Sequence, residues 1–354
     1  MKHPKSISLG LICLFMCSTP AKAWHEAGHM VTALIAYEQL DPAVRGQLLN
    51  LLKHHPRFDE DFKADLPAGL TADDEGRFYF CRAAVWPDLV RTKKDGSIPP
   101  DRKVKTSYHR SHWHFINMPF ALLPVGATAA ERKELEESAA QRLNLSTDTP
   151  AQEALNLNVV QAIRFNAGVL RNSQSDSNRA VAICWILHTI GDIHQPLHSS
   201  ALFTRKLFKP SAAAPEGDRG GNRVKFGPGH NDNLHFLWDH WEEPDEGQLS
   251  FQAVVSLAEG LLDDAELKAK GEAAAQKTDP AEWAKESSSL TKQKVFTKAL
   301  RTQLIVADPL DLNPDQDALV HLSSKYRNAV ERTTEERIIQ GGFRLAVALK
   351  VCCP

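Results

Sequence analysis

Residues 187–198 read Leu-His-Thr-Ile-Gly-Asp-Ile-His-Gln-Pro-Leu-His. His188 and Asp192 are four residues apart, so on a helix they project from one face, one turn apart. Pro196 cannot continue that helix and sends His198 off in a new direction. His194 falls on another side. Imidazole nitrogen and carboxylate oxygen are donors that zinc accepts, and a helical pair delivers two of them to one point. The alternative is a buried helix whose histidines are satisfied by backbone carbonyls. A second pair, His235 and Asp239, repeats the spacing. Further donors lie upstream: Asp88 with Arg91 one turn later, His114 within His-Trp-His-Phe-Ile-Asn, and His29 near the start.

The elements that must position these donors read as helices almost throughout. Apolar residues recur at helical spacing over 25–40. Asp41-Pro42 reads as an N-cap followed by proline at the first helical position, opening a helix to about residue 53. Residues 54–76, with two prolines and two glycines, read as an irregular insertion. Helical patterns follow at 78–91, 129–143, 151–171, 177–195 and 233–241. They continue at 248–268, 279–304 and 315–349. Residues 92–110 read as a charged loop, 112–117 as a short aromatic stretch and 203–221 as linker-like. Residues 223–226 read as one side of a small hairpin. The expected fold class is all-α, with at most a small β-hairpin, in one domain over 24–354.

The first 23 residues read as a secretory signal. Lys2 and Lys5 give a basic start, 7–17 an apolar run, and Ala21-Lys22-Ala23 a cleavage site. The run is too short to span a membrane as a stable helix. The mature chain then begins at Trp24, in a secreted or periplasmic setting. Loss of Lys2, Lys5 and Lys22 takes the 42 basic residues to 39 against 44 acidic, a net charge of −5. That excludes the basic footprint of a duplex-DNA binder. If the protein handles phosphates, something other than lysine must supply positive charge. Four cysteines remain: Cys81, Cys184, Cys352 and Cys353. Export permits a disulfide bond among them, but three pairings are open. A new N-terminus at Trp24 has a further consequence. Its α-amine titrates near neutrality and can coordinate a metal once deprotonated, and its carbonyl oxygen can close a five-membered chelate.

Taken together, the motifs resemble the zinc-dependent nucleases of fungi, plants and bacteria that prefer single strands, relatives of the zinc phospholipases C. The stretches are Trp24-His25-Glu26-Ala27-Gly28-His29, Trp86-Pro87-Asp88-Leu89-Val90-Arg91, His114-Phe115-Ile116-Asn117, residues 191–198, Gly217-Asp218-Arg219-Gly220-Gly221-Asn222 and residues 233–239. They fall in the family's order, and Gly341-Gly342-Phe343-Arg344-Leu345-Ala346 resembles its last helix. The resemblance implies three zinc ions. Asp88, His114, His188 and Asp192 would hold one. The Trp24 amine and carbonyl, His29 and Asp192 would hold a second, with Asp192 bridging. His198, His235 and Asp239 would hold the third and leave positions open. Three zinc ions would supply the charge an acidic chain lacks.

The resemblance further implies hydrolysis of single-stranded DNA or RNA, and of 3′-nucleotides, by a zinc-bridging hydroxide. Products would carry 5′-phosphates. Asp192 and Arg91 would be catalytic, Arg91 through a forked phosphate contact. Phe115 would stack on a base, which requires that base to be unstacked and so favours single strands. Asn117 and His240 occupy positions resembling the family's base-edge contacts, where the best-known fungal members carry an aspartate and an asparagine. Base preference therefore stays open. His112 or His194 could orient a ligand from behind. The expected partners are single-stranded nucleic acid and 3′-nucleotides, with no membrane, and the protein is expected to be a monomer. A phospholipase C would share most ligands but resembles this pattern with a longer spacing than Trp24 to His29 and a glutamate in place of Asp239. A zinc-binding protein without catalysis would instead close its coordination shell with protein ligands.

Overall fold

The computed structural model describes residues 26–91, 105–212, 214–240, 250–308 and 317–352. Trp24, His25, the signal stretch, most of the 92–110 loop and Cys353 lie outside the described residues. The chain is mainly helical. Its centre is α6 (Asp176–His194), which starts at a Ser175 cap and is buried continuously from Ala182 to His194. A helix apolar all round has to be surrounded. It is packed by α1 (Glu26–Gln39), α2 (Pro42–Leu52), α3 (Ala72–Leu89), α5 (Val159–Asn172), α10 (Pro280–Leu290) and α12 (Ser324–Cys352). Ile183, Leu187 and Ile190 of α6 share one apolar cluster with Ala83, Trp86, Ile163 and Leu349.

Local chemistry moves several boundaries away from the periodicity. α3 begins six residues before the expected position 78, because Thr71 accepts from the Asp74 amide and three acids follow in the first turn. α5 begins at Val159, not 151, because Asn158 and Gln161 form a capping box. The span 248–268 breaks in two at Asp264. That residue ends α8 (Phe251–Asp263) and caps α9 (Ala265–Ala274) by accepting from Glu266 and Leu267. The span 279–304 also divides: α10 runs into a π turn at Thr291–Val295, and α11 (Lys298–Ala307) restarts at Thr297. The insertion at 54–76 contributes to the core. Its Phe62 is fully buried, and His55 and Asp61 are buried against Trp86.

The expected hairpin at 223–226 is reduced to a single antiparallel bridge, with Phe226 N donating to Asp232 O at 2.9 Å. Strands β1 (Met118–Ala121) and β2 (Ser200–Phe203) pair in parallel, as do β3 (Val224–Lys225) and β4 (Ala318–Leu319). Lys225 makes one isolated antiparallel bridge to Asn233. The first pair matters for function. β1 follows His114 and β2 follows His198, so the pairing brings the two histidines together. Ile116 N donates to His198 O at 2.8 Å just before the strands begin. Short helices α4 (Ala129–Ala140) and α7 (Leu234–Asp239) complete the elements. Among the described residues no helix is long and apolar enough to cross a membrane. Cys81 and Cys184 are free and buried, so the expected disulfide involves neither of them, and Cys352 is buried as well. Burial pushes the Cys81 and Cys184 thiols up.

Candidate metal centre

Six elements bring their donors together around Asp192. His29 comes from the first turns of α1, Asp88 from the end of α3, and His114 from a 3-10 turn at Ser111–His114. His188 and Asp192 come from α6, and His198 from the 3-10 turn Pro196–Ser199 that follows it. His235 and Asp239 sit on α7. Three groups result: His29 with His188 and Asp192; Asp88 with His114 and His188; and His198 with His235 and Asp239. In each group the donor atoms lie within 4.8 Å of one another.

Asp192 lies at the junction. Its Oδ2 is 3.0 Å from His114 Nδ1 and 3.1 Å from His188 Nε2. Its Oδ1 is 3.6 Å from His29 Nε2 and 3.3 Å from His198 Nδ1. In the third group, His235 Nε2 is 3.2 Å from Asp239 Oδ2 and His198 Nε2 is 3.7 Å from Asp239 Oδ1. The His29 and His188 rings stack at 3.8 Å, and His198 and His235 at 5.0 Å.

Backbone carbonyls set which nitrogen faces inward. His188 Nδ1 donates to Ala84 O at 2.7 Å, His198 Nδ1 to His114 O at 2.7 Å, and His235 Nδ1 to Gly220 O at 2.8 Å. Each ring therefore turns Nε2 toward the carboxylates, the arrangement by which a carbonyl orients a ligating histidine. Gly220 has φ of +59°, and a Cβ there would stand 2.6 Å from Leu197 O, so only glycine presents that carbonyl. The same loop is tied down by buried Asp218, whose carboxylate accepts from the Leu202 and Gly221 amides. Burial raises Asp218 to about 7 despite those contacts.

Protonation follows position. Burial, reinforced by the neighbouring imidazole of His188, holds His29 well below its ordinary value. Burial and the Arg91 charge do the same for His114. Burial opposes charge on His188 and His198 too, but there the carboxylates win. Asp192 and Asp88 raise His188, and Asp192 and Asp239 raise His198 to about 9. Burial would raise Asp192, but His188 and His198 hold it well below the usual carboxylate range.

The donor set fits zinc. Both His29 nitrogens, His114 Nε2, His198 Nε2, Asp192 Oδ1 and Asp239 Oδ2 are buried and make no hydrogen bond among the described residues. Buried polar atoms are otherwise nearly always satisfied, so several orphans at one point indicate a missing partner. Imidazole nitrogen and carboxylate oxygen are donors that zinc accepts.

The remaining sequence candidates are placed as follows. Arg91 Nε lies 2.8 Å from Asp88 Oδ1, and its charge is felt by both His114 and His235. It therefore lies beside the group of Asp88, His114 and His188, within electrostatic reach of His235 in the third. Phe115 is half-buried, 5.9 Å from the exposed His112 ring. Asn117 is buried. The His240 ring stacks on Phe236 at 3.4 Å and donates Nδ1 to Phe236 O, committing that edge. His194 is turned away from the donors. Its Nδ1 donates to Ile190 O and its Nε2 accepts from Arg344. Gln195 went unnoticed in the sequence. It is fully buried, and its Nε2 donates to Asp239 Oδ1 at 2.7 Å, linking the turn after α6 to the third group. Its place directly before Pro196, within the ligand motif, was the available signal.

The chain is 25% identical over 228 residues to Endonuclease 1 of Arabidopsis thaliana, covering 64% of this chain and 56% of that protein. It is 25% identical over 192 residues to Nuclease S1 of Aspergillus oryzae, covering 54% of this chain and 60% of that protein. The chain thus spans less than two thirds of the length of either relative. A model of the S1/P1 nuclease family matches residues 24–353, beginning at the residue expected to start the mature chain. The chain belongs to the S1/P1 nuclease family.

Proposed function

We propose that the chain is an exported, trinuclear-zinc phosphodiesterase. It hydrolyses single-stranded DNA or RNA to 5′-phosphorylated products and removes phosphate from 3′-nucleotides. The observation that carries this reading is the junction at Asp192, where two donor groups share His188 and the third begins at His198. Asp88, His114, His188 and Asp192 would hold one ion. His29 and Asp192, with the amine and carbonyl of Trp24, would hold the second. His198, His235 and Asp239 would hold the third. Zinc bound there supplies positive charge for the scissile phosphate and the departing 3′-oxygen, and the acidity that ionises water near neutral pH.

The chain's own residues do the rest. Arg91, held beside Asp88, turns a fork of donors to a non-bridging phosphate oxygen. Phe115, half-buried beside the exposed His112 ring, offers a face to an unstacked base. A single strand presents such a base and a duplex does not. Because the mature chain is acidic, long-range attraction for nucleic acid is absent, and binding is confined to the metal centre. The protein acts as a single mature domain, 24–354, and as a monomer in a secreted or periplasmic setting.

The deciding experiment offers the chain starting at Trp24 single-stranded DNA, RNA, a 3′-nucleotide and phosphatidylcholine, with and without chelator and zinc add-back. Chelator-sensitive release of 5′-nucleotides is the expected result. Phosphocholine release would move the chain to lipid hydrolysis. Zinc bound without turnover on any substrate would make it a zinc-binding protein.

A further inference from the structure

The turn from Asp192 to His198 carries at its two ends proposed ligands of all three ions, and it is held from the far end of the chain. α6 ends at His194, where its last carbonyls lose their helical partners. Side chains from α10, α12 and the π turn take those carbonyls up. Ile193 O accepts from Ser287 Oγ at 2.5 Å, His194 O from Arg337 Nε at 3.0 Å, and Pro196 O from Thr291 Oγ1 at 2.5 Å. Ser287 and Thr291 are four residues apart and so share one face. Arg337 locks the two clamping helices together by donating Nη2 to Ser287 Oγ at 2.8 Å.

This clamp is chemically expensive. Arg337 and Arg344 are 3% and 2% exposed, and one carboxylate, Glu286, lies near both, at 3.6 and 2.7 Å. Apolar residues of similar volume would often hold two helices at lower cost than buried guanidinium groups. A guanidinium adds direction: rigid donors aimed at particular acceptors. Here Arg337 aims at the carbonyl two residues beyond Asp192 and four before His198.

We propose that Arg337, acting with Ser287, is a positioning residue for the metal centre. Together they set the backbone path from Asp192 to His198, and so the separation of the paired donor groups from the third. The inference rests on the proposed zinc reading of those groups.

The test uses the mature chain and three variants. Arg337→Lys keeps charge and loses the fork. Ser287→Ala loses the hydroxyl shared with Ile193 and Arg337. Arg45→Lys is the control, since Arg45 holds Leu40 O at another helix end. Zinc affinity is read by competition with a chromogenic chelator, zinc content by elemental analysis, and unfolding in excess chelator by circular dichroism. Arg337→Lys and Ser287→Ala are expected to bind zinc about 10- to 100-fold more weakly, the usual cost of losing a partner behind a ligand. Their metal-free unfolding should shift no more than that of Arg45→Lys. Wild-type affinity in both variants, with zinc bound by the wild type, overturns the clamp alone. A wild type that binds no zinc overturns the metal reading and the clamp with it. If Arg337→Lys fails to fold, Ser287→Ala decides.

Discussion

Gly191 lies against the His29 ring: a Cβ on residue 191 would stand 2.8 Å from His29 Nδ1. α1 and α6 can approach closely enough to share Asp192 because residue 191 has no side chain. Gly191→Ala must displace His29, which is buried and stacked on His188. Overpacking of this kind costs about 1–3 kcal/mol. The expected outcome is a folded protein that retains less than its full zinc and loses at least ~10-fold in hydrolysis. Elemental analysis beside steady-state rates checks it. Full zinc content with full activity would show that α1 and α6 can separate without consequence.

The His–Asp spacings were legible because they are local: four residues on a helix place two donors on one face whatever the rest of the chain does. The partners that orient them were not legible. Ala84 O, Gly220 O and Gln195 reach their acceptors or donors only through tertiary packing. Helix periodicity overran its ends at Asp264 because an apolar stripe continues across a residue whose side chain caps the next helix. Asn158 and Gln161 were a visible start signal, yet the apolar pattern before them suggested a longer helix. Two-residue strands such as Val224–Lys225 have too little pattern to reveal a parallel partner distant in sequence.

Gln195 ties the turn after α6 to Asp239, and its Oε1 accepts from Leu197 N. Gln195→Met preserves length and removes both contacts. Asp239 then loses the donor that fixes its Oδ1, and the third donor group loosens while the paired groups keep their geometry. Zinc affinity of one site should fall by about 10- to 100-fold, with the other two unchanged. A titration followed with cobalt in place of zinc resolves the sites by their spectra. Equal weakening of all sites would contradict a local role.

His55 packs its ring edge-on against Trp86, 4.4 Å away, and burial lowers its pKa to about 3, despite the attraction of Asp61. In the unfolded chain it titrates near 6.5. The folded state therefore binds this proton less readily. Its contribution to stability is complete above pH 6.5 and is lost as pH falls toward 3. Between pH 7 and pH 5 the loss is about 2 kcal/mol. His55→Phe keeps an aromatic ring against Trp86 and removes the titration. Urea unfolding at the two pH values should show a smaller acid loss in the variant by about that amount. An identical acid loss in the two proteins would mean that His55 titrates in the folded state as it does in the unfolded chain.

The proposed second zinc site depends on a free amine at Trp24, which lies outside the described residues. One additional residue before Trp24 turns that amine into an amide, which does not coordinate at neutral pH. Such a protein should bind one zinc fewer and lose most of its activity. Full activity in an extended protein would place the missing ligands of His29 elsewhere.

Asp192→Asn tests the junction itself. Both carboxylate oxygens are engaged, Oδ2 toward His114 and His188 and Oδ1 toward His29 and His198. An amide can offer one neutral oxygen and must turn an NH₂ group toward the other donors. Removing a single-site ligand would lower the affinity of one zinc. Removing a shared one should release two and abolish hydrolysis, while the third zinc, held by His198, His235 and Asp239, remains. The variant should also lose the charge that raises His198 to about 9 in the metal-free protein. Nuclear magnetic resonance of the imidazole in excess chelator would then find that ring titrating lower. Loss of only one zinc with residual hydrolysis would assign Asp192 to a single ion and disprove the bridge.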